Sequence, residues 1–140
     1  MIKQFKNEFR WLSNFAPCKI ELDGFVYPSV EHAYMSAKSD NSYWKEFCMT
    51  EEKAGIVKKE SYKLTLISDW DNKKIDIMKN CLIQKFNQEP YKSKLLNTGD
   101  EFIQEGNMWN DRFWGVCLKT GKGENNLGRI IMDIRTELRG

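Results

Sequence analysis

Leu127, Ile130, Ile131, Ile134 and Leu138 follow the i, i+3, i+4, i+7 rule, a spacing that suits only an α-helix burying one stripe. A second run is longer. Asp69 is a plausible N-cap, and Trp70, Ile77, Met78, Cys81, Leu82 and Phe86 mark most of an apolar stripe before Pro90. This helix is the expected spine of the core. Ser29, a preferred N-cap type, opens an earlier helical stretch running to Lys38. Asp40-Asn41-Ser42 can stop it and cap another with Tyr43, Trp44, Phe47 and Cys48 at helical spacing, and Thr50–Lys53 opens a run to about Lys59. Pro90, followed by Leu95 and Leu96, predicts a short helix stopping at Asn97-Thr98-Gly99. Strand signals are fewer. Cys18–Leu22 alternates, Asp23-Gly24 is a hairpin turn and Phe25–Tyr27 returns; Phe102-Ile103 and Phe113–Leu118 are brief strand-like runs. Residues 1–16 look irregular and anchored by aromatics. The expected fold is mainly α with small β elements (α+β), a compact single domain over residues 1–140 with an N-terminal hairpin.

Composition narrows the function. A chain of 140 residues can bury one core and is too short for a second catalytic domain. Its 22 Lys and Arg against 20 Asp and Glu leave +2, which excludes a general phosphate-backbone binder. Cys18, Cys48, Cys81 and Cys117 form no C-x-x-C pair, and His32 is the single histidine, so no zinc site is expected and the thiols fit a reducing compartment. Met1–Lys6 has no apolar leader and no apolar run has membrane-spanning length. We expect a cytoplasmic protein without membrane, metal or cofactor.

The familiar catalytic signatures are absent: no G-x-S-x-G, Walker A, G-x-G-x-x-G or H-E-x-x-H. What remains is carboxylate plus lysine. Glu31 falls in the first turn after Ser29, and Lys38, seven residues on, returns to nearly the same azimuth about 10 Å along the axis, with Tyr34 between. The bland alternative is a solvated face of a surface helix. A polar loop from Glu105 to Arg112 sets Asp111 beside Trp109 and Trp114, and Asp69 precedes Trp70. Most tryptophans serve packing, although aromatics also stack on bases. Gly121-Lys122-Gly123 ahead of a helix is a weak phosphate cradle. Carboxylates near aromatic platforms suit glycosidic cleavage, where a developing oxocarbenium is stabilised and the leaving group needs a proton. A lysine adds Schiff-base chemistry at an anomeric carbon.

Taken in order, Trp11-Leu12-Ser13-Asn14-Phe15, Tyr27-Pro28-Ser29-Val30-Glu31-His32-Ala33-Tyr34 with Ala37-Lys38, Asp69-Trp70, Lys85-Phe86, Leu95–Asp100, Glu105-Gly106-Asn107, Asp111 with Phe113-Trp114-Gly115, and Gly123–Gly128 with Met132 and Arg135 closely resemble the NADAR, or YbiA-like, family from about Phe9 to Leu138. The resemblance implies a helical YbiA-like fold and an N-glycosidase that breaks a ribose C1–N bond. Two substrates come with it: ADP-ribosylated guanine in nucleic acid, and early riboflavin-pathway intermediates. A third possibility is an ADP-ribose reader without turnover. Carried over, Glu31 is the acid/base, Lys38 the nucleophile and Asp111 a second carboxylate. Ser13, Asn14, Tyr34, Trp70, Trp109, Trp114 and Asn125 line the substrate pocket. One departure stands out: where the family pattern A-K-x-x-G-R ends in arginine, this chain has Tyr62, which removes a basic residue from the segment expected to meet phosphate.

Overall fold

The computed structural model describes residues 1–140, which group into two compact units, residues 14–85 and residues 1–13 with 86–140. In the first, β1 (Pro17–Leu22) and β2 (Phe25–Ser29) pair antiparallel with Ile20 opposite Tyr27, both buried. Asp23 and Gly24 at φ 52° and 84° form the expected two-residue turn. Helix α1 (Val30–Ser36) follows at once, and Ser29 Oγ accepts the His32 N–H at 3.1 Å as its cap. All seven of its residues are buried.

The helix ends sooner than the spacing predicts. Ala37 is its C-cap, and Lys38 sits in the turn beyond. There the Lys38 N–H bonds back to Met35 O at 3.2 Å, and its carbonyl accepts from Ile67 N at 2.9 Å. A carbonyl taken by another segment cannot continue the helical ladder. Helix α2 (Ser42–Thr50) is capped by Asn41 Oδ1, which accepts from the N–H groups of Tyr43 and Trp44, and the Trp44 indole donates to Met35 O at 2.9 Å. Helix α3 (Ala54–Ser61) starts later than Thr50 suggests, because Glu51 and Lys53 are extended and Glu51 Oε2 accepts the Lys53 N–H. Helix α4 (Trp70–Phe86) begins after Asp69, whose φ is 64° and whose carboxylate accepts from the Asn72 side chain. Near its other end the Gln84 amide exchanges two 2.8 Å bonds with the backbone N–H and C=O of Glu21 on β1.

In the second unit, a 3₁₀ turn over Asn7–Leu12 precedes α5 (Tyr91–Asn97), β3 (Gly106–Asn107), β4 (Val116–Cys117) and α6 (Asn126–Leu138). The α6 stripe behaves as its spacing predicts, with Leu127, Ile130, Ile131 and Ile134 buried. Phe86 stands edge-on to Trp11 and Tyr91, each at 6.5 Å between ring centroids. Arg135 on α6 donates to Thr98 Oγ1 and to Glu101 O. The strand expected over Phe113–Leu118 shrinks to β4, which runs parallel to β3, while Ile103 bridges Ile2. The reason is local: Asp111 Oδ1 accepts the N–H groups of Phe113 and Trp114 in a side-chain turn and keeps them out of a ladder. The fold is α+β, mainly helical with two small sheets.

Two positions test this architecture. Gly115 leaves no room for a Cβ, which would collide with the Glu105 carbonyl and carboxylate. We expect Gly115→Ala to lower stability by roughly 1–3 kcal/mol, seen as an earlier urea midpoint; an unmoved midpoint rejects the tight approach. Lys85 is fully buried, and burial pushes its pKa down to about 7 while the nearby Cys18 works the other way. Because the folded value lies below the usual 10.5, stability rises with pH between about 7 and 10.5. Lys85→Met should therefore be more stable than wild type at pH 7, with the gap closing as pH rises. A gap that stays constant across that window would falsify this assignment.

Candidate active site

The start of α1 is held by a segment that precedes it in sequence. Glu31 is 5% exposed, and its N–H donates to Asn14 O at 3.0 Å, strapping the 14–16 segment onto the helix's first turn. Asn14 donates to the Met78 sulfur at 3.6 Å, while its Oδ1 is buried and accepts no hydrogen bond. Such an acceptor is costly to leave unmet. Ser13, which belongs to the other unit, bonds through its N–H to Arg10 O.

His32 is occupied elsewhere. Its ring lies 2.6 Å from Ser29 Oγ and 2.7 Å from Glu51 O. A carbonyl only accepts, so Nε2 carries the proton and Nδ1 accepts from the Ser29 hydroxyl. Burial pushes the pKa down, and the neutral ring ties α1 to the end of α2.

Lys38 lies half-buried with its ammonium 6.0 Å from the Tyr34 ring centroid. Tyr34 in turn packs against Trp70 at 5.3 Å and 50°. Burial is the largest influence on Lys38 and holds its pKa below the ordinary lysine value; Glu31 opposes this, whereas Lys58 on α3 and Lys74 on α4 add to it. Glu31, Tyr34, Lys38 and Trp70 thus come together in one unit, from α1, the turn after it and the first residue of α4. An amine whose pKa is lowered by burial, within electrostatic reach of a buried carboxyl, can act as a nucleophile with an acid at hand.

The other expected residues lie in the second unit. Asp111 spends Oδ1 on the turn described above, and the Asn107 side chain fastens the Asp111 backbone through both its ends, at 2.9 and 3.0 Å. Trp114 stands edge-on to Phe113 at 4.8 Å, and Trp109 is 60% exposed. Asn125, in the left-handed region at φ 54°, accepts from Glu105 N and donates to Ile103 O, both at 3.0 Å. Its amide holds the backbone together at the start of α6. No three His, Cys, Asp or Glu side chains converge as metal ligands. Nothing in the spacing marks Lys74 or Asn107: Lys74 is one turn beyond Trp70 and acquires meaning only once Trp70 packs on Tyr34.

The NADAR domain family model matches residues 2–139. The chain is 36% identical over 131 residues to a riboflavin biosynthesis protein of Vibrio vulnificus, covering 91% of this chain and 35% of that one. It thus spans about a third of that relative. It is 34% identical over 136 residues to an N-glycosidase of Nostoc punctiforme, covering 91% and 84% of the two chains. With the N-glycosidase YbiA of Escherichia coli it shares 32% over 130 residues, covering 90% and 79%. The NMR structure of E. coli YbiA superposes with a TM-score of 0.84 at 26% identity, over 99% of this chain and 87% of that one. The family model spans nearly the whole chain and the superposition covers 99% of it, and the chain belongs to the NADAR family.

Proposed function

We propose that this protein removes ADP-ribose from ADP-ribosylated guanine in nucleic acid by breaking a ribose C1–N bond. What carries it is the half-buried Lys38 amine beside the buried Glu31, with its pKa held low. In this scheme Lys38 Nζ bonds to ribose C1 as the C1–N bond breaks, and the departing base takes its proton from Glu31. The C1–O4′ bond then breaks as a proton passes from Nζ to the ring oxygen, leaving a protonated Schiff base between Nζ and C1. Glu31, now a carboxylate, takes a proton from the water that hydrolyses it, releasing ADP-ribose and restoring the amine. Asn14 Oδ1 is available to a sugar hydroxyl. Tyr34 and Trp70 form an apolar wall beside the amine, and Ser13, Trp109, Trp114 and Asn125 complete the set matched to the family. Asp111 is the second carboxylate of that set, and with one oxygen committed to its loop it acts by shaping that loop.

A second substrate is supported by the names of the relatives. Those from Vibrio vulnificus and Zea mays are called riboflavin biosynthesis proteins, although the chain spans only 35% and 24% of them. Phosphoribosyl intermediates of that pathway carry the same type of bond.

The experiment is release of ADP-ribose or free base from a guanine-ADP-ribosylated oligonucleotide and, separately, from a phosphoribosyl riboflavin intermediate. Wild type should act on the oligonucleotide, and Glu31→Gln and Lys38→Ala should each lose about 10²- to 10⁴-fold. Borohydride should trap a sugar adduct on Lys38. Activity on the riboflavin intermediate alone moves the assignment to that substrate; stoichiometric ADP-ribose binding with no product makes the protein a reader. The rate should rise with pH through an ionisation below the usual lysine range, as the Lys38 amine loses its proton. With a net charge of only +2, oligonucleotide binding should weaken with salt far less than for a protein making 6–10 phosphate contacts. A steep salt slope contradicts recognition of the modified nucleotide itself.

A further inference from the structure

The second unit holds an open cavity of about 560 Å³, a size that takes a small organic ligand. Phe9 and Trp11 of the 3₁₀ turn form its aromatic wall, and Lys94 and Asn97 of α5, with Thr98 and Glu101, form its polar wall. Trp11 is held in place, because Phe86 stands edge-on to it and to Tyr91. Charge is out of balance around this space. Arg135, 6% exposed, braces the polar wall by donating to Thr98 Oγ1 at 2.9 Å and to Glu101 O at 2.8 Å, yet its Nε is buried and meets no acceptor. The two carboxylates that act on Arg135 are spent elsewhere, Asp100 on Arg139 at 2.9 Å and Glu101 on the Met1 amine at 2.6 Å. Neither Arg135 nor Lys94 has a carboxylate within ion-pair distance. A dehydrated cation without a counter-ion is costly, and an anion against this wall offsets that cost.

We infer that this cavity binds a nucleotide, its base on Phe9 and Trp11 and its phosphate on Lys94, and that none of the residues assigned to the reaction takes part. Aromatic side chains take a flat ring by stacking. The Lys94 ammonium takes a phosphate as a point charge, and the buried charge of Arg135 adds to its pull. Asn97 follows Lys94 by three residues, so both side chains share the face of α5 that lines the cavity. Its exposed amide offers a donor and an acceptor to the edge of a base. An aromatic hydrocarbon would leave the cations unanswered, and a bare phosphate would leave the rings wet. A free mononucleotide and one nucleotide of a single strand present the same chemistry here.

Titration with adenosine 5′-monophosphate, followed by NMR at the Trp11 indole and the Asn97 side-chain amide, tests the site without any turnover. Both signals should shift on binding. Lys94 and Asn97 are exposed, so their variants keep the fold. Lys94→Gln should weaken the mononucleotide about tenfold and leave adenosine unaffected, Asn97→Leu should weaken both about tenfold, and Lys94→Arg should bind as wild type does. No binding by wild type, binding that moves neither signal, or equal affinity in wild type and Lys94→Gln overturns the inference. So does a loss in Lys94→Arg as large as that in Lys94→Gln. Unmodified oligodeoxyadenylate separates the two sources: the same shifts at a lower concentration than the mononucleotide needs assign the cavity to a strand, and weaker binding assigns it to a free nucleotide. Failure of the glycosidase assignment leaves these readouts untouched, and failure here leaves that assignment standing.

Discussion

A seven-residue helix cannot hold itself together in water, yet α1 carries the buried carboxyl on which the proposed chemistry turns. It survives because every one of its residues is buried and because its ends are held from outside. Ser29 caps the first turn, Asn14 O takes the Glu31 N–H, and the Trp44 indole takes Met35 O near the last turn. The hairpin, α2 and α3 are in this sense a casing for one short helix. Burial that stabilises the helix also dehydrates Glu31, so the fold and the candidate site draw on the same packing.

The electrostatics follow from that casing. Lys38 stands where α1 gives out, in a turn whose carbonyl is claimed by Ile67. Were the helix to continue, its amine would be one of many on a solvated face. Stopping the helix two residues earlier leaves it half-buried against Tyr34, where dehydration and neighbouring lysines work on it together. The single histidine is removed from contention by the same architecture, its two nitrogens spent on Ser29 and Glu51.

Features that depend on near neighbours were legible in the chain: the Ser29 and Asn41 caps, the Asp23-Gly24 turn, and the α4 and α6 periodicities. Those set by distant partners were not. The end of α1 depends on an N–H 29 residues away at Ile67. Phe113 and Trp114 have strand-forming side chains but are taken by Asp111, so local hydrogen bonding outweighs propensity. For the candidate site, the motif order picked out Glu31 and Lys38, and helix spacing set them on one side. The spacing contained neither the influence of Lys74 on Lys38 nor the commitment of Asn125 to its own backbone, because both depend on which faces pack.

The grip of the Gln84 amide of α4 on β1 has a wider consequence. A two-stranded hairpin presents an outer edge whose backbone groups can recruit a strand from another molecule. At Glu21 that edge is already answered by a side chain that imitates a peptide group, donor and acceptor together. At that position the strand is paired with a helix side chain, and the Glu21 N–H and C=O are both taken. What reads as one pair of hydrogen bonds also closes that position of the edge to an incoming strand, through one glutamine on the helix that carries Trp70.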